Sequence, residues 1–187
     1  MGKANKLLAE IDGDAMVARV ADAVLASAAS PIVVVTGHEA ERVRAMLGRR
    51  QLQFAHNPDY ASGLAGSLAC GLAALPADCD GVLVCLGDMP RVKSGELDRL
   101  IAAFNPLEGR AIVVPTARGK RGNPVLFARR FFPEMARLKG DSGARQLIGQ
   151  YHELAAEVEM ADDGVLIDVD SPDKLVTLRG QGSSAAS

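Results

Sequence analysis

Apolar positions along this chain alternate between two periods. Val17, Val20, Ala21, Val24 and Leu25 follow i, i+3, i+4, i+7, i+8 spacing, which predicts a helix with one buried stripe. The β-branched run PIVVVTG (31–37) stops at a Gly and predicts a buried strand. EAERVRAML (39–47) returns to the helical period, with Val43, Met46 and Leu47 on one face, and LQFAHN (52–57) predicts a short strand. GSLACGLAAL (66–75) aligns Leu68, Leu72 and Leu75 on a helix, and GVLVCLG (81–87) reads as the next strand. Further on, Ser94 can cap a helix carrying Leu97, Leu100, Ile101 and Phe104. AIVVPT (111–116) and NPVLFA (123–128) predict strands on either side of a Gly-Lys-Arg-Gly turn. Asp141 or Ser142 can cap the helix ARQLIGQ (144–150), and AAEVEM (155–160) alternates as an edge strand does. GVLIDVD (164–170) reads as another buried strand, and SPDKLVTL (171–178) opens a last helix with Ser171 as N-cap and Pro172 at its first position.

Strands alternating with helices predict an α/β fold in three layers around a mostly parallel sheet. No internal repeat or boundary interrupts the pattern, so residues 1–179 are expected to form one domain. The low-complexity end, 180–187, is expected to be a disordered tail.

Composition narrows the function classes. The chain has 187 residues, 48% hydrophobic and 24% charged, which is enough apolar material for a sizeable core. Aromatics are 4% with no Trp, so the core is expected to be aliphatic, as in parallel sheets. A formal net charge of −2 without a basic block argues against nucleic acid as a partner. No apolar run approaches the roughly 18 residues a membrane span needs. The opening residues lack the apolar core of a signal peptide, and Cys70, Cys79 and Cys85 lack CxxC spacing, so a reduced, cytoplasmic setting is expected.

The chemistry concentrates where VLVCLGDMP (82–90) ends on Asp88 and GVLI runs into Asp168 and Asp170. Ligands of open α/β sheets sit outside the carboxyl ends of strands. Two carboxylates brought together there repel unless a cation lies between them. Mg²⁺ suits such a pair, because it takes oxygen ligands and commonly shares phosphate oxygens. Lys3 and Lys6, beside Gly2, can supply positive charge to a polyphosphate. Each Asp alone could equally start a turn or cap a helix, and each Lys could be solvated.

These motifs carry a family resemblance. MGKANKLLAEIDG (1–13), NPDYASGLAGSLACGLAAL (57–75), VCLGDMP (84–90), GKRGNPVLF (119–127), LKGDSGARQLI (138–148) and DVDSP (168–172) follow one another as in the molybdopterin nucleotidyltransferases, and resemble the cytidylyltransferase branch most. The resemblance spans nearly the whole chain. It implies the Rossmann-like fold of nucleotide-diphospho-sugar transferases. It also implies Mg²⁺-dependent transfer of CMP from CTP to molybdopterin, with release of pyrophosphate. By this resemblance Asp88 and Asp170 hold Mg²⁺, and Lys6 neutralises the triphosphate. Gly2, Lys6, Gly63, Ser67 and Asp88 surround the nucleotide, with Gly63 and Ser67 at the base and ribose. Gly122, Asn123 and Arg145 face the molybdopterin. A molybdoenzyme of the xanthine dehydrogenase type is the implied recipient.

In relatives the signature opens with a strand in the middle of the sheet and a Gly-rich turn that reads the base. These 187 residues start inside that signature, so the fold is expected without its first strand and with neighbouring strands lacking a partner. The base therefore stays open between cytosine and others such as guanine. The remaining alternatives are another phosphorylated acceptor, a non-catalytic molybdenum-cofactor-binding module, the transferase domain of a larger fused protein, and a purely structural domain.

Overall fold

In the computed structural model, residues 5–141, 143–170, 174–176 and 178 are described. Gly2, Lys3, Ser142, Ser171, Pro172 and the expected tail at 180–187 lie outside them.

A short 3-10 turn, Lys6–Leu8, leads into a hairpin of two-residue strands, β1 (Glu10–Ile11) and β2 (Asp14–Ala15). Its two turn residues, Asp12 and Gly13, both take positive φ, the geometry that an Asp-Gly pair favours between antiparallel strands. Helix α1 (Met16–Leu25) follows at once, and its expected stripe is buried through Val17, Val20 and Ala21.

Two sheets make up the middle layer. Strand β3 (Val33–Thr36) pairs in parallel with β4 (Gln53–His56), and helix α2 (Ala40–Leu47) connects them. The larger sheet contains β5 (Gly81–Val84), β6 (Ile112–Ala117), β7 (Lys120–Arg121), β8 (Val125–Ala128) and β9 (Ala155–Glu159), with β8 between β5 and β6. Among the described residues, β3 pairs only with β4 and β5 only with β8.

The fold class is the expected α/β nucleotidyltransferase type, but the sheet is mixed rather than mostly parallel. Strand β9 runs parallel to β6, whereas β5–β8, β6–β8 and β6–β7 are antiparallel. The reason is local. Arg118 and Gly119 both take positive φ, closing a tight hairpin after β6 that sends the chain back along it.

Alternate residues of each strand face opposite helical layers, as the two-residue period requires. Val34 and Phe54 pack against α1 and α2 through Val17, Ala21, Val43 and Leu47. Val35 faces the other way, close against Gly71 of α3 (Leu64–Ala73). In the larger sheet Val82, Val84, Ile112, Val114 and Phe127 face Leu68 and Leu72 of α3, Met135 of α5 (Phe132–Met135) and Leu147 of α6 (Arg145–Gln150). Leu83, Val113 and Leu126 face the opposite layer, where α4 (Ser94–Ala103) supplies Leu97, Leu100 and Ile101. Helix α3 thus touches both sheets.

Three local expectations change. GVLIDVD is not a strand: Gly164–Leu166 makes a 3-10 turn, closed by the Leu166 amide on the Asp163 carbonyl at 2.9 Å. Ser94 is the first helical residue of α4 rather than its cap, and the Glu96 carboxylate accepts from the Lys93 amide at 2.9 Å. Asp141 does not cap α6, which starts from Ala144. Residues 174–176 and 178 are helical, as expected for SPDKLVTL. Cys85 is half-buried against the cluster of Met89, Val92 and Leu97, and desolvation there pushes its thiol up to about 12, as suits a small hydrophobe. Among the described residues no helix is long and apolar enough to cross a membrane.

Candidate active site

The carboxylate that ends the β5 run is set by its own turn. Met89 and Val92 are buried with Leu97 just beyond Gly87-Asp88, and the Met89 amide closes back on the Leu86 carbonyl at 3.3 Å. An apolar anchor on the far side of a tight turn leaves Asp88 at the strand's carboxyl end, where its side chain is 19% exposed. Lys6 Nζ meets Asp88 Oδ2 at 2.6 Å. Lys6 is held in place from both sides. The Asn5 Oδ1 accepts from the Leu7 amide at 3.1 Å, and the Asn5 amide group donates to the His38 carbonyl at 3.2 Å. Leu7 itself packs over Gly87, 3.4 Å from where a Cβ would stand.

The segment after the Gly164–Leu166 turn comes to the same place. The Val169 amide donates to the Asp88 carbonyl at 2.9 Å, and the Val169 side chain is fully buried with Ile11, Met16, Leu175 and Leu178. Asp168 and Asp170, on either side of this anchor, both reach outward to Lys174 Nζ, at 3.0 and 3.1 Å. The Lys174 ammonium holds the Asp168 carboxyl below its ordinary range, against the opposing effect of burial, and the Lys6 ammonium adds to the lowering. Lys6, Asp88, Asp168, Asp170 and Lys174 therefore form one cluster of alternating charge.

Packing of the 3-10 turn explains how distant motifs meet. A Cβ on Gly164 would lie 2.7 Å from the Arg91 carbonyl oxygen, and one on Gly122 would lie 2.2 Å from the Val165 carbonyl oxygen. Asn123 donates its amide to that same Val165 oxygen at 2.9 Å. The turn is thus wedged between the GDMP and RGNP segments. Gly122 is a glycine because another backbone occupies its side-chain space, and Asn123, half-buried, is placed beside the acidic segment.

A second convergence forms around α3. Gly63 adopts φ +117, and a Cβ there would stand 2.7 Å from the Gly140 carbonyl carbon. The Ala65 amide donates to Gly140 at 3.1 Å and the Leu64 amide to Asp141 Oδ1 at 3.4 Å. Asp141 thus serves the start of α3, and Gly140 with Asp141 closes over Gly63–Ala65. Ser67 accepts from Asn57 Nδ2 at 3.1 Å. Asn57, 6% exposed, also takes the Asp59 amide on its Oδ1 at 3.0 Å and gives its own amide to Thr36 at 2.8 Å. Asn57, which the motif reading passed over, holds Ser67 by its Nδ2 hydrogen bond. Its sequence signal is a polar amide directly after strand β4. Arg145 is exposed at the first turn of α6, apart from the acidic cluster's ion pairs.

The histidines lie elsewhere. A shallow cavity of about 610 Å³ is lined by residues including Gly37, Glu39, Arg42, Arg44, His56 and Tyr60, and none of the three clustered aspartates reaches it. His38 Nδ1 and the Tyr60 hydroxyl stand 3.4 Å apart beside it.

The cluster's donor set suits a hard divalent cation. All its acceptors are carboxylate oxygens, and ammonium groups already lie against them. Among the described residues no group of three or more His, Cys, Asp and Glu side chains is arranged to hold a metal ion. A cation there would draw the rest of its ligands from phosphate and water, as Mg²⁺ commonly does.

Comparison with known proteins places the chain among nucleotidyltransferases. Nicotine blue oxidoreductase of Paenarthrobacter nicotinovorans is 25% identical over 189 residues, covering 95% of this chain and 89% of that protein. Molybdenum cofactor cytidylyltransferase of Escherichia coli is 25% identical over 152 residues, covering 80% and 74%. Purine catabolism protein PucB of Bacillus subtilis is 32% identical over 124 residues, covering 65% of this chain but only 58% of that protein. Rv0371c of Mycobacterium tuberculosis, solved in complex with manganese, superimposes with a TM-score of 0.81 at 26% identity, covering 94% of this chain and 91% of that one. These relatives' names span different chemistries, so relationship alone does not set the substrate. Residues 1–155 match the MobA-like NTP transferase domain, and the chain belongs to that family of nucleotidyltransferases.

Proposed function

We propose that this protein transfers a cytidylyl group from CTP to the terminal phosphate of molybdopterin, releasing pyrophosphate, with a divalent cation, Mg²⁺ by preference, at Asp88 and Asp170. In this reaction an acceptor phosphate oxygen forms a bond to the α-phosphorus while the bond to the leaving pyrophosphate breaks. Catalysis of such a step is mostly positioning and neutralisation of charge. The cation would supply neutralisation of the phosphate charge. Asp88 and Asp170 hold it, and Lys6 offers its ammonium to the leaving phosphates. Gly63, Ser67 and Gly2 belong to the nucleotide side of the reading, with Asn57 orienting Ser67. Asn123, with Gly122 and Arg145, belongs to the molybdopterin side. The product's consumer would be a molybdoenzyme.

The observation that carries this reading is the hydrogen bond from Val169 to Asp88, which brings the second acidic segment to the end of β5 beside Lys6. The resemblance to the Escherichia coli cytidylyltransferase supports the choice of base and acceptor. Manganese in the related Rv0371c structure supports a divalent cation.

Pyrophosphate release with molybdopterin and CTP, GTP or ATP tests the proposal. CTP is expected to be used preferentially, and equal use of GTP removes the cytidylyl assignment. Asp88→Asn is expected to lower turnover by about 10²–10³. Unchanged turnover in that variant removes the acidic pair from the mechanism.

A further inference from the structure

Lys174 is not among the residues that the proposed reaction uses, yet its ammonium sits between two carboxylates of the acidic cluster. Its Nζ is 3.0 Å from Asp168 Oδ1 and 3.1 Å from Asp170 Oδ1. The position is built rather than incidental. Leu175 and Leu178, on the same helical segment, are 8% and 6% exposed and pack against Val169, the residue between the two aspartates. The helix that carries the lysine is therefore fastened to the segment that carries its partners.

We propose that Lys174 is an internal counter-cation that holds Asp168 and Asp170 together and competes with a divalent metal ion for them. This rests on the reading of Asp170 as a metal ligand. The ammonium already lies 3.1 Å from Asp170 Oδ1, so a divalent cation held by the same carboxylate would stand close to a second positive charge, and each cation weakens the other's hold on Asp170. The lysine side chain is 47% exposed and the aspartates 47% and 55%, so the ion pairs are solvent-screened and Lys174 can swing into water at small cost. Metal entry then releases a lysine at the mouth of the site. Without the metal, the same lysine keeps two adjacent like charges from splaying apart.

Binding of Mn²⁺ alone to the purified full chain, followed by water-proton relaxation and by thermal unfolding, tests this. Lys174→Met is expected to bind Mn²⁺ about three- to tenfold more tightly, the size of effect that removing a screened ion pair allows. It should also show a larger Mn²⁺-induced rise in Tm than the parent. Lys174→Arg, which keeps the charge, should stay near the parent value. Asp88→Asn is the control for the underlying reading and should lose most Mn²⁺ affinity. If Lys174→Met binds Mn²⁺ equally or more weakly while Asp88→Asn loses it, the competition is overturned and the metal pair stands. If Asp88→Asn binds as the parent does, or no variant binds Mn²⁺, the metal reading falls and this inference with it.

Discussion

The amide of Val169 and the carbonyl of Asp88 are joined by a 2.9 Å hydrogen bond across 81 positions of sequence. That single bond ties the acidic segment at 168–170 to the end of β5. Replacing Val169 separates its two contributions. Val169→Ala keeps the amide but empties a fully buried site, and should cost about 2 kcal/mol of stability in urea unfolding. Val169→Pro removes the donor itself. Its nucleotidyl transfer should fall at least about tenfold below that of the Ala variant. Equal activity in the two would show that the bond does not position the site.

Glycines at the site and away from it should respond with opposite sign. Gly122→Ala places a Cβ 2.2 Å from the Val165 oxygen, so one backbone must move. A loss of about 1–3 kcal/mol is expected. Gly95 sits exposed inside α4 with nothing within 4 Å of its Cβ position. Gly95→Ala should raise stability by about 0.5–1 kcal/mol. Thermal unfolding of both variants checks the pair.

Asn57→Ala removes the donor to Ser67 and the acceptor for the Asp59 amide. The partly buried Ser67 and the exposed Asp59 amide lose their partner, which should cost about 0.5–1.5 kcal/mol. If Asn57 orients the nucleotide side, KM for the nucleotide should rise while Mn²⁺ affinity stays unchanged. A change in Mn²⁺ affinity instead would place its effect at the acidic cluster.

Asp22 and Arg50 form a two-point pair, Nε to Oδ1 at 2.6 Å and Nη2 to Oδ2 at 2.8 Å. The Arg50 guanidinium holds the Asp22 carboxyl below its ordinary value of 3.8. A lowered folded-state value means stability that is present above the unfolded value and lost as pH falls through the folded one. The stabilisation should therefore be intact at neutral pH and disappear below about pH 4. Because the Asp22 side chain is 57% exposed and the pair is screened by water, it should amount to less than about 1 kcal/mol. Asp22→Asn should lower stability by that amount at pH 7 and by nothing at pH 2–3, measured as Tm.

Several features of this protein were legible from one-dimensional pattern. The i, i+3, i+4 spacing of Val17, Val20 and Ala21 and the β-branched run at 33–36 announced α1 and β3, because burial on one face imposes a period that survives in sequence. GDMP announced a carboxylate at a strand's end, because an apolar strand cut off by a tight turn leaves few other places for Asp88. The resemblance of the ordered motifs led to the same family that residues 1–155 match.

Tertiary structure decided what pattern leaves open. GVLI is apolar enough for a strand, yet it coils into a turn because Arg91 and Gly122 press on it from two sides and Asn123 takes its carbonyl. The sheet is mixed because positive φ at Arg118 and Gly119 reverses the chain, a backbone event that hydrophobic period does not register. Asp141 serves α3 rather than the helix next to it in sequence, because contacts over long separations depend on how layers stack. Local spacing encodes which face of each element is buried; only the packed layers determine which ends of those elements meet.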